Sequence, residues 1–468
     1  MEQIISDVMH QTAATVDRPV VVIGAGPVGL AAAAHLCERK LPFVVVERGG
    51  QVGASVQAWG HVQLFSPWQY CVDAAAVRLL TTAGWVIPAP ESYPSGAALV
   101  ADYLVPLAQL PEIASALRLG VTVTQVTRHG LSKSDTHGRA NQPFAVHVRD
   151  AEGHEQVILA SAVIDASGTY LHPNPLGAAG VPAMGEAHAA AWVYYGIPAV
   201  LEAHRERYVG KRVAVVGSGH SAFHVLLDLV ELRRHHPATQ ISWLVRRNVD
   251  QLPLKYGGGA ADALPERGSL GQRVQAAVES GAITLVSDWR TDRVTVTAHG
   301  VVLGAGTRTL APVDQVVATT GFRPDATLLG ELRLSLDEIV EAPRALAPHI
   351  DPNLHSCGTV PPHGVRELSH PEPGVFVVGM KSYGRAPTFL LLTGYEQVRS
   401  VVAALAGDWQ AALDVQLVLP ETGVCSGPGD TACCAPALTD VACCAPAPRI
   451  ATIHDIAMVL EAPAPRCC

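Results

Sequence analysis

Residues 20–30 read VVVIGAGPVGL, and this stretch decides the fold of the first part of the chain. Its β-branched run predicts a buried strand, its glycines predict a tight turn, and the alanine-rich stretch Val28 to Arg39 has the composition of a helix. A second apolar run, Phe43 to Val46, ends at the acidic residue Glu47. The order is therefore β-α-β, as in a dinucleotide-binding fold.

The glycines of this unit have the spacing of a dinucleotide-binding loop. Gly24 permits the tight turn, Gly26 lets a pyrophosphate approach the backbone, and Gly29 permits close helix packing. The helix N-terminus attracts the phosphate. An acid at the end of the next strand accepts hydrogen bonds from ribose hydroxyls, which favours a dinucleotide without a 2′-phosphate. A glycine turn without a ligand is the alternative. The predicted cofactor-binding residues are Gly24, Gly26, Pro27, Gly29, Glu47 and Arg48.

A second glycine motif stands in residues 213–222, VAVVGSGHSA, before the predicted helix Ser221 to Arg234. The following strand, Ile241 to Val245, ends in Arg246 and Arg247 where the first unit has an acid. Two guanidinium groups suit a 2′-phosphate, so we expect NADPH here, although both arginines could simply cap a strand at the surface. The predicted ligands of this loop are Gly217, Ser218, Gly219, His220 and Ser221.

Two dinucleotide sites in one chain imply hydride transfer from a nicotinamide to a flavin, with FAD in the first unit and NADPH in the second. Over residues 18–408 the chain resembles the flavin-containing monooxygenases and their two-domain flavoprotein relatives. Residues 165–169 (DASGT, with Gly168) and 318–322 (ATTGF, with Gly321) resemble the two segments where the chain passes between domains. Gly379 to Gly394 resembles the final FAD segment, in which Pro387 suits the first turn of a helix beneath the flavin.

This resemblance implies an α/β fold with two Rossmann-like dinucleotide-binding domains, the NADPH domain being inserted into the FAD domain, and a Cys-rich flexible tail. The predicted boundaries are 18–170 and 316–415 for the two parts of the FAD domain, 171–315 for the NADPH domain and 420–468 for the tail.

The chain departs from the family pattern at two places. The Phe-x-Gly-x-x-x-His signature before the second glycine loop is absent, and residues 194–198 read YYGIP instead. Gly379-Met380 stands in place of the Gly-Asp pair that is common in the final FAD segment. These departures bear on the fate of oxygen and not on the reduction of flavin by NADPH.

A closer resemblance is to the flavin-binding monooxygenases called ArsO in bacterial arsenic-resistance operons. It is carried by GAS at 53–55, WGHV at 59–62, LFSPW at 64–68, HSCGTVPPHG at 355–364 and KSYGRAP at 381–387. The resemblance implies oxidation of a small soft nucleophile, a trivalent arsenical, as the reaction. The partner is then a small-molecule substrate, a thiophilic metalloid.

The tail carries paired cysteines, which seldom close a disulfide on themselves and stay free to chelate soft ions. The terminal pair also resembles the carboxy-terminal cysteine pair of mercuric reductases, which passes metal to a partner subunit, so a homodimer is one expected assembly. A tail that binds metal only adventitiously is the alternative. The candidate metal ligands are Cys433, Cys434, Cys443, Cys444, Cys467 and Cys468.

Four residues are candidates for catalysis. Cys357 and His363 lie in a Gly/Pro/His-rich loop that either meets a substrate or is purely structural. His61 follows the first β-α-β unit, where this fold usually lines the flavin edge. Arg385 either contacts flavin or NADPH phosphates or forms a surface ion pair.

The composition limits the classes of function. The 468 residues are 49% hydrophobic with a net charge of −9, which describes a folded chain and argues against a nucleic-acid binder. The glycines in the apolar stretch Pro19 to Cys37 argue against a membrane span, and the absence of a positive leader predicts a cytoplasmic protein. Three functions stay open: an NADPH-dependent FAD monooxygenase, a metal or disulfide reductase using the tail thiols, and a metalloid-binding flavoprotein without turnover.

Overall fold

A computed structural model describes residues 18–248, 256, 265–354, 360–387 and 389–417. They all belong to the first of two compact units, Met1–Pro428. The second unit, Gly429–Cys468, lies outside the described residues together with Cys357 and all the candidate metal ligands of the tail. Among the described helices, none combines the length and the apolar character needed to cross a membrane.

The described residues form sixteen strands, which alternate with helices only around the two glycine loops. They are, in chain order, β1 (Val20–Ile23), β2 (Phe43–Val46), β3 (Leu117–Arg118), β4 (Thr122–Arg128), β5 (Phe144–Arg149), β6 (Glu155–Ala160), β7 (Ala162–Asp165), β8 (Val193–Tyr195), β9 (Arg212–Val216), β10 (Gln240–Leu244), β11 (Thr284–Val286), β12 (Arg293–Thr297), β13 (Gly300–Ala305), β14 (Arg308–Thr309), β15 (Gln315–Ala318) and β16 (Val375–Val377).

The longer helices follow the two glycine loops or close the domains. The α-helices are α1 (Pro27–Glu38), α2 (Ala54–Gln57), α3 (Ala74–Thr82), α4 (Gly96–Leu99), α5 (Val105–Ala108), α6 (Pro111–Ala114), α7 (Arg205–Tyr208), α8 (His220–His235), α9 (Pro265–Glu279), α10 (Ala347–Ile350), α11 (Val365–Leu368), α12 (Leu391–Leu405) and α13 (Trp409–Leu413). A π-helical turn, Val100–Leu104, joins α4 to α5, and short 3-10 helices include Trp68–Tyr70 and Gly379–Tyr383.

The first sheet has the order β16-β7-β1-β2-β3 and is parallel throughout. Helix α1 packs between this sheet and α12, and its alanines at 31–34 are completely buried. Their small side chains let the two helices approach closely, which explains the alanine-rich composition. A separate antiparallel sheet, β4-β5-β6, lies between β3 and β7 in the chain.

The second sheet has the order β11-β10-β9-β15-β8 and is also parallel, with the antiparallel β12-β13-β14 beside it. The prediction that the chain returns to the FAD domain at residue 316 is wrong in detail. Strand β15 pairs with β9 and β8, and Val316 and Val317 are fully buried there, so the return follows residue 318. The predicted α/β fold with two Rossmann-like units is confirmed.

Candidate functional site

The first glycine loop joins β1 to α1. Gly24 has a φ of +100°, a left-handed value that favours glycine. A Cβ on Gly29 would lie 1.9 Å from the carbonyl oxygen of Gly24, so the helix and the turn pack closely, as predicted. No described atom lies within 4 Å of a Cβ built on Gly26. Pro27 is the first residue of α1. The open face at Gly26 thus fits the approach of a pyrophosphate to the helix N-terminus.

A cavity of about 530 Å³ lies at this carboxyl edge of the first sheet. Open α/β sheets bind their ligands at this edge. Four predicted cofactor ligands line this cavity: Gly24, Glu47, Arg48 and Gly168. Two residues that were not predicted, Ser167 and Lys381, line it as well. The residues present therefore fit a large dinucleotide such as FAD.

The carboxylate of Glu47 is fixed by two backbone hydrogen bonds. One carboxylate oxygen accepts a hydrogen bond from the backbone N–H of Ala25, the other from that of Gly49, each at 2.7 Å. A carboxylate has acceptor capacity for further donors on both oxygens. Glu47 can therefore accept hydrogen bonds from ribose hydroxyls without releasing the loop.

A buried ion pair in this cavity was missed by sequence reasoning. The Nζ of Lys381 lies 2.6 Å from Oδ2 of Asp165 and 3.0 Å from Oγ of Ser167, and the Lys381 and Asp165 side chains are 3% and 0% exposed. Ser167 in turn donates from N and Oγ to the other carboxylate oxygen of Asp165. An ammonium has three N–H donors, and the third has no acceptor among the described residues. Lys381 is thus fixed at the cavity wall, and one N–H group of its ammonium can donate to a bound ligand.

A sequence signal for this pair did exist. Both residues fall inside segments that were assigned to the FAD site: Asp165 is the last residue of β7, and Lys381 lies four residues after the end of β16. A charge next to a buried parallel strand is seldom left without a partner. Because β7 and β16 are neighbours in the sheet, an acid at the end of one and a base after the other are placed to meet.

The final FAD segment is anchored by a buried polar network that includes His363. The side chain of Gln397 accepts from the N–H of Gly379 at 2.7 Å and donates to Oγ of Ser382 at 2.9 Å. Its amide nitrogen also lies 2.9 Å from Nε2 of His363, whose Nδ1 lies 3.0 Å from the carbonyl oxygen of Pro361. Burial lowers the pKa of His363. Both ring nitrogens are engaged, so His363 has the structural role and its predicted catalytic role is not supported.

Pro387 does not lie in the first turn of a helix, contrary to the prediction. Helix α12 begins at Leu391, with Leu390 as an extended N-cap. The ring of Phe389 packs against Tyr383 at a centroid distance of 5.3 Å, and it fills the space beside Gly394. Pro387 is exposed and lies before this helix, outside any described helix.

Arg385 forms a surface ion pair, the alternative that the sequence left open. Its guanidinium donates to Oε1 of Glu341 at 2.8 Å, and both side chains are more than one third exposed. Arg385 is not among the residues that line either cavity described in this section. The predicted catalytic role of Arg385 is therefore not supported by its position.

The second glycine loop repeats the geometry of the first. Gly217 has a φ of +134°, and a Cβ there would lie 2.3 Å from the carbonyl oxygen of Thr319. The indole N–H of Trp243 donates to the Gly217 carbonyl at 2.7 Å. Around Gly219, as around Gly26, no described atom lies within 4 Å of an added Cβ. Ser218 and Ser221 stand half-buried on either side of this open face, which fits a second dinucleotide.

Arg246 and Arg247 follow β10 and are exposed. Within the described part of the chain, no carboxylate pairs with either guanidinium. Arg247 also contributes its carbonyl oxygen to the N–H of Asp288 at 2.9 Å, which fixes the backbone at the strand end. Two positive side chains without an acidic partner fit a 2′-phosphate at the end of this strand, as a preference for NADPH requires.

The two crossover segments lie side by side. Gly168 and Gly321 both have left-handed backbones, with φ of +70° and +88°. Asn174 donates from its backbone N–H to the Gly321 carbonyl at 2.9 Å, and the rings of Tyr170 and Phe322 are stacked at 5.3 Å. Each crossover segment also lies against one glycine loop, Ala166 beside Gly24 and Thr319 beside Gly217.

The two domains also meet directly beside the glycine loops. The ring of Phe65, in the first domain, lies 5.4 Å from the ring of His220, the first residue of α8. Next to this contact is a second cavity of about 200 Å³, to which His61 contributes. His61 was predicted to line the flavin edge; it lines this second cavity and is not among the residues that line the larger one.

The described thiols are not arranged for redox chemistry. Cys71 is buried, and its Sγ donates to the carbonyl oxygen of Ser66 at 3.3 Å. Burial raises the pKa of Cys71 to about 12, and burial with the nearby Glu112 raises the pKa of Cys37. A raised pKa disfavours the thiolate, which is the reactive form of a cysteine. Cys71 and Cys37 are the only cysteines among the described residues.

Similar proteins include enzymes of flavin chemistry. Indole-3-pyruvate monooxygenase YUCCA1 of Oryza sativa subsp. japonica is 28% identical over 245 residues, which are 51% of this chain and 50% of that protein. The chain thus spans about half the length of the curated relatives it matches. The bacillithiol disulfide reductase Bdr of Bacillus cereus has a TM-score of 0.56 at 18% identity, over 84% of this chain and 98% of that one.

The FAD-bound structure of DfoA, a cadaverine monooxygenase from Erwinia amylovora, has a TM-score of 0.58 at 16% identity, over 90% of this chain and 99% of that one. At such identities the likeness shows the fold. A family model described as pyridine nucleotide-disulphide oxidoreductase matches residues 21–356, well over half of the chain. The predictions of a flavin-dependent oxidoreductase fold with FAD and a nicotinamide dinucleotide as cofactors are confirmed by this match. The chain belongs to the pyridine nucleotide-disulphide oxidoreductase family.

Proposed function

We propose that this chain is an NADPH-dependent FAD monooxygenase that oxidises a trivalent arsenical. The observation that carries the redox part is the presence of two open glycine loops, at Gly26 and Gly219, in one chain. FAD, when bound, supplies a two-electron carrier that NADPH reduces and oxygen reoxidises. The chain's own residues position the two dinucleotides, through the helix N-termini of α1 and α8 and through Glu47.

The use of oxygen is supported by the relatives and by the thiols. The rice protein and DfoA are both named as monooxygenases. A disulfide reductase of this kind needs a reactive pair of cysteines at the flavin, and the described Cys37 and Cys71 are both free and line neither cavity. These observations favour a monooxygenase over a reductase that uses the described cysteines.

The arsenical substrate is supported by the sequence. The runs shared with ArsO include His61 and Phe65, which lie at the meeting of the two domains. The paired cysteines beyond residue 420 suit capture of a soft trivalent ion. In the proposed reaction one atom of O₂ is added to arsenous acid to give arsenic acid, the other leaves as water, and NADPH supplies two electrons.

The test is to mix the purified, FAD-loaded protein with NADPH first without oxygen and then with oxygen and sodium arsenite. We expect NADPH to bleach the flavin absorbance and oxygen to restore it. One arsenate should form for each NADPH consumed beyond the amount consumed without arsenite. Bleaching that only a thiol or metal acceptor reverses would contradict the proposal in favour of a reductase. If NADPH does not bleach the flavin, the remaining hypothesis is a metalloid-binding flavoprotein without turnover.

The preference for NADPH depends on Arg246 and Arg247. Replacing both with alanine should raise the KM for NADPH roughly 10- to 100-fold, because hydrogen bonds to a charged group contribute about 1.5–3 kcal/mol. The KM for NADH should change little, since NADH has no 2′-phosphate. Steady-state kinetics with both dinucleotides check this, with the exposed Arg234→Ala as the matched control. Equal losses for NADPH and NADH would show that the arginines serve another purpose.

Variants of the tail cysteines distinguish the proposed monooxygenase from a reductase that uses the tail thiols. Changing Cys467 and Cys468 to serine should raise the KM for arsenite about 10-fold through lost local capture and leave kcat in place. A reductase that passes electrons through these thiols would instead lose turnover altogether. The two outcomes are told apart by measuring kcat at saturating arsenite.

A further inference from the structure

The backbone pairing at the carboxyl edge of the second sheet continues beyond the ends of β10 and β11. The N–H of Trp289 donates to the carbonyl oxygen of Val245 at 2.9 Å. The N–H of Asp288 donates to the carbonyl oxygen of Arg247, also at 2.9 Å. Paired extended segments lie about 4.8 Å apart. The loop that follows β11 therefore lies directly beside the exposed Arg246 and Arg247, where the 2′-phosphate is expected.

Asp288 in this loop has a left-handed backbone, with a φ of +49°. Such a value is uncommon for residues other than glycine, and it persists where the surrounding structure holds it. A supporting contact comes from Arg308 of β14, whose Nη1 donates to the carbonyl oxygen of Asp288 at 2.9 Å. The guanidinium carbon of Arg308 also lies 5.2 Å from the centroid of the Trp289 ring, a cation–π contact. One residue and two hydrogen bonds thus connect Arg308 to the backbone of Arg247.

The guanidinium of Arg308 keeps one edge free. Its Nη1 lies 2.9 Å and 3.4 Å from the carbonyl oxygens of Asp288 and Ser287, and its Nη2 lies 3.5 Å from the Ser287 oxygen. The terminal nitrogens therefore face the loop. A guanidinium has five N–H donors in a planar fork. The side edge, formed by Nε–H and the outer N–H of Nη2, has no acceptor among the described residues. Such an edge can donate to two oxygens of one phosphate.

Positive charge outweighs negative charge among the residues of this corner. Arg246, Arg247 and Arg308 are all exposed, and in the described part of the chain none of them forms an ion pair with a carboxylate. Asp288 supplies one exposed carboxylate on the same loop. Three guanidinium groups against one carboxylate give a local excess of positive charge in a chain whose net charge is −9. This excess favours a ligand with more than one negative charge, as a phosphate monoester carries near neutral pH.

We propose that Arg308 is a third ligand of the 2′-phosphate of NADPH, and that its Nε–Nη2 edge donates to two phosphate oxygens. Arg246 and Arg247 follow β10 of the second β-α-β unit, whereas Arg308 comes from β14 in the antiparallel sheet β12-β13-β14. The choice between NADPH and NADH then depends on two separate parts of the second domain. The inference rests on the proposed function for the use of NADPH and adds a specificity-determining residue to it.

The direct test is calorimetric titration of the FAD-loaded protein with 2′,5′-ADP, which carries the 2′-phosphate, and with 5′-AMP, which lacks it. We expect Arg308→Ala to weaken binding of 2′,5′-ADP about 10-fold, because hydrogen bonds to a charged group are lost. Binding of 5′-AMP should stay within about 2-fold, as for a surface substitution without a contact. Equal losses for the two nucleotides would overturn the proposal.

Arg290→Ala is the matched control for loss of a nearby positive charge. Arg290 is an exposed arginine of the same loop. Its replacement should leave the affinity for 2′,5′-ADP within about 2-fold of the wild type. A loss in Arg290→Ala as large as that in Arg308→Ala would show a general effect of charge and would contradict a specific contact of Arg308.

A second pair of variants separates a contact with the phosphate from support of the loop. Asp288→Gly makes the left-handed backbone available without support, because glycine adopts it freely. In that background we expect Arg308→Ala still to weaken 2′,5′-ADP binding about 10-fold relative to Asp288→Gly alone. If the loss disappears in this background, Arg308 acts only by holding the loop, and the proposal is wrong.

The titrations need neither oxygen nor arsenite, so their results are independent of the reaction. If Arg308→Ala behaves as expected but arsenite is never oxidised, the role of Arg308 stands and the proposed function is wrong. If arsenite is oxidised with NADPH while Arg308→Ala binds 2′,5′-ADP as the wild type does, the proposed function stands and the role of Arg308 is wrong.

Discussion

Replacement of Lys381 with methionine is expected to release FAD from the protein. The Nζ of Lys381 lies against the FAD cavity, 2.6 Å from Asp165, with a third N–H that no described residue accepts. Removing the ammonium takes away a charged donor, worth about 1.5–3 kcal/mol toward a phosphate or hydroxyl oxygen, or roughly 10- to 100-fold in FAD affinity. It also leaves Asp165 as an unpaired charge with no exposure, which costs about 3–5 kcal/mol of folding stability.

A second variant separates these two effects. In Lys381→Met with Asp165→Asn, no buried charge is left unpaired, so most of the stability should return. We expect the thermal midpoint of the apoprotein to recover while the FAD dissociation constant stays raised, measured by quenching of FAD fluorescence. Exposed Lys133→Met is the matched control for loss of a lysine. Recovery of FAD binding in the double variant would show that Lys381 only neutralises Asp165.

The parts of the fold that local sequence encodes were predicted well. The first β-α-β unit was expected at Val28 to Arg39 and Phe43 to Val46, and the structure places α1 at Pro27–Glu38 and β2 at Phe43–Val46. Local turn chemistry explains this success, because the left-handed Gly24 and the buried β-branched run each specify their own conformation. The same reasoning found the second glycine loop.

What sequence reasoning missed depends on contacts between distant residues. Lys381 and Asp165 are 216 positions apart and meet only because β7 and β16 are neighbours in the sheet. Strand β15 was assigned to the FAD domain but belongs to the second sheet, because an apolar run such as Val316-Val317 does not determine which sheet its strand joins. Arg385 was expected at the cofactors from its place in the final FAD segment, but Glu341 holds it at the surface. In each case a long-range partner decided the outcome.

Alanine at Gly26 and alanine at Gly219 should each remove one dinucleotide and spare the other. No described atom lies within 4 Å of a Cβ at either glycine, and both backbones are extended, with φ of −80° and −90°. Alanine adopts such a backbone freely, so each apoprotein should keep its stability within about 1 kcal/mol. Any loss of function must then come from the methyl group in the path of a pyrophosphate.

We expect Gly26→Ala to lower FAD affinity by about 10- to 100-fold, the effect of about 1–3 kcal/mol of overpacking, and to yield a largely colourless protein. Gly219→Ala should retain FAD and lose NADPH-driven bleaching by a similar factor, while dithionite still reduces its flavin. The control is Gly84→Ala, an exposed glycine that lines neither cavity. Because Gly84 has a φ of +85°, its variant reports the cost of backbone strain alone. A Gly219→Ala variant that releases FAD would mean that the two sites are not independent, and one that NADPH reduces normally would place the nicotinamide dinucleotide elsewhere.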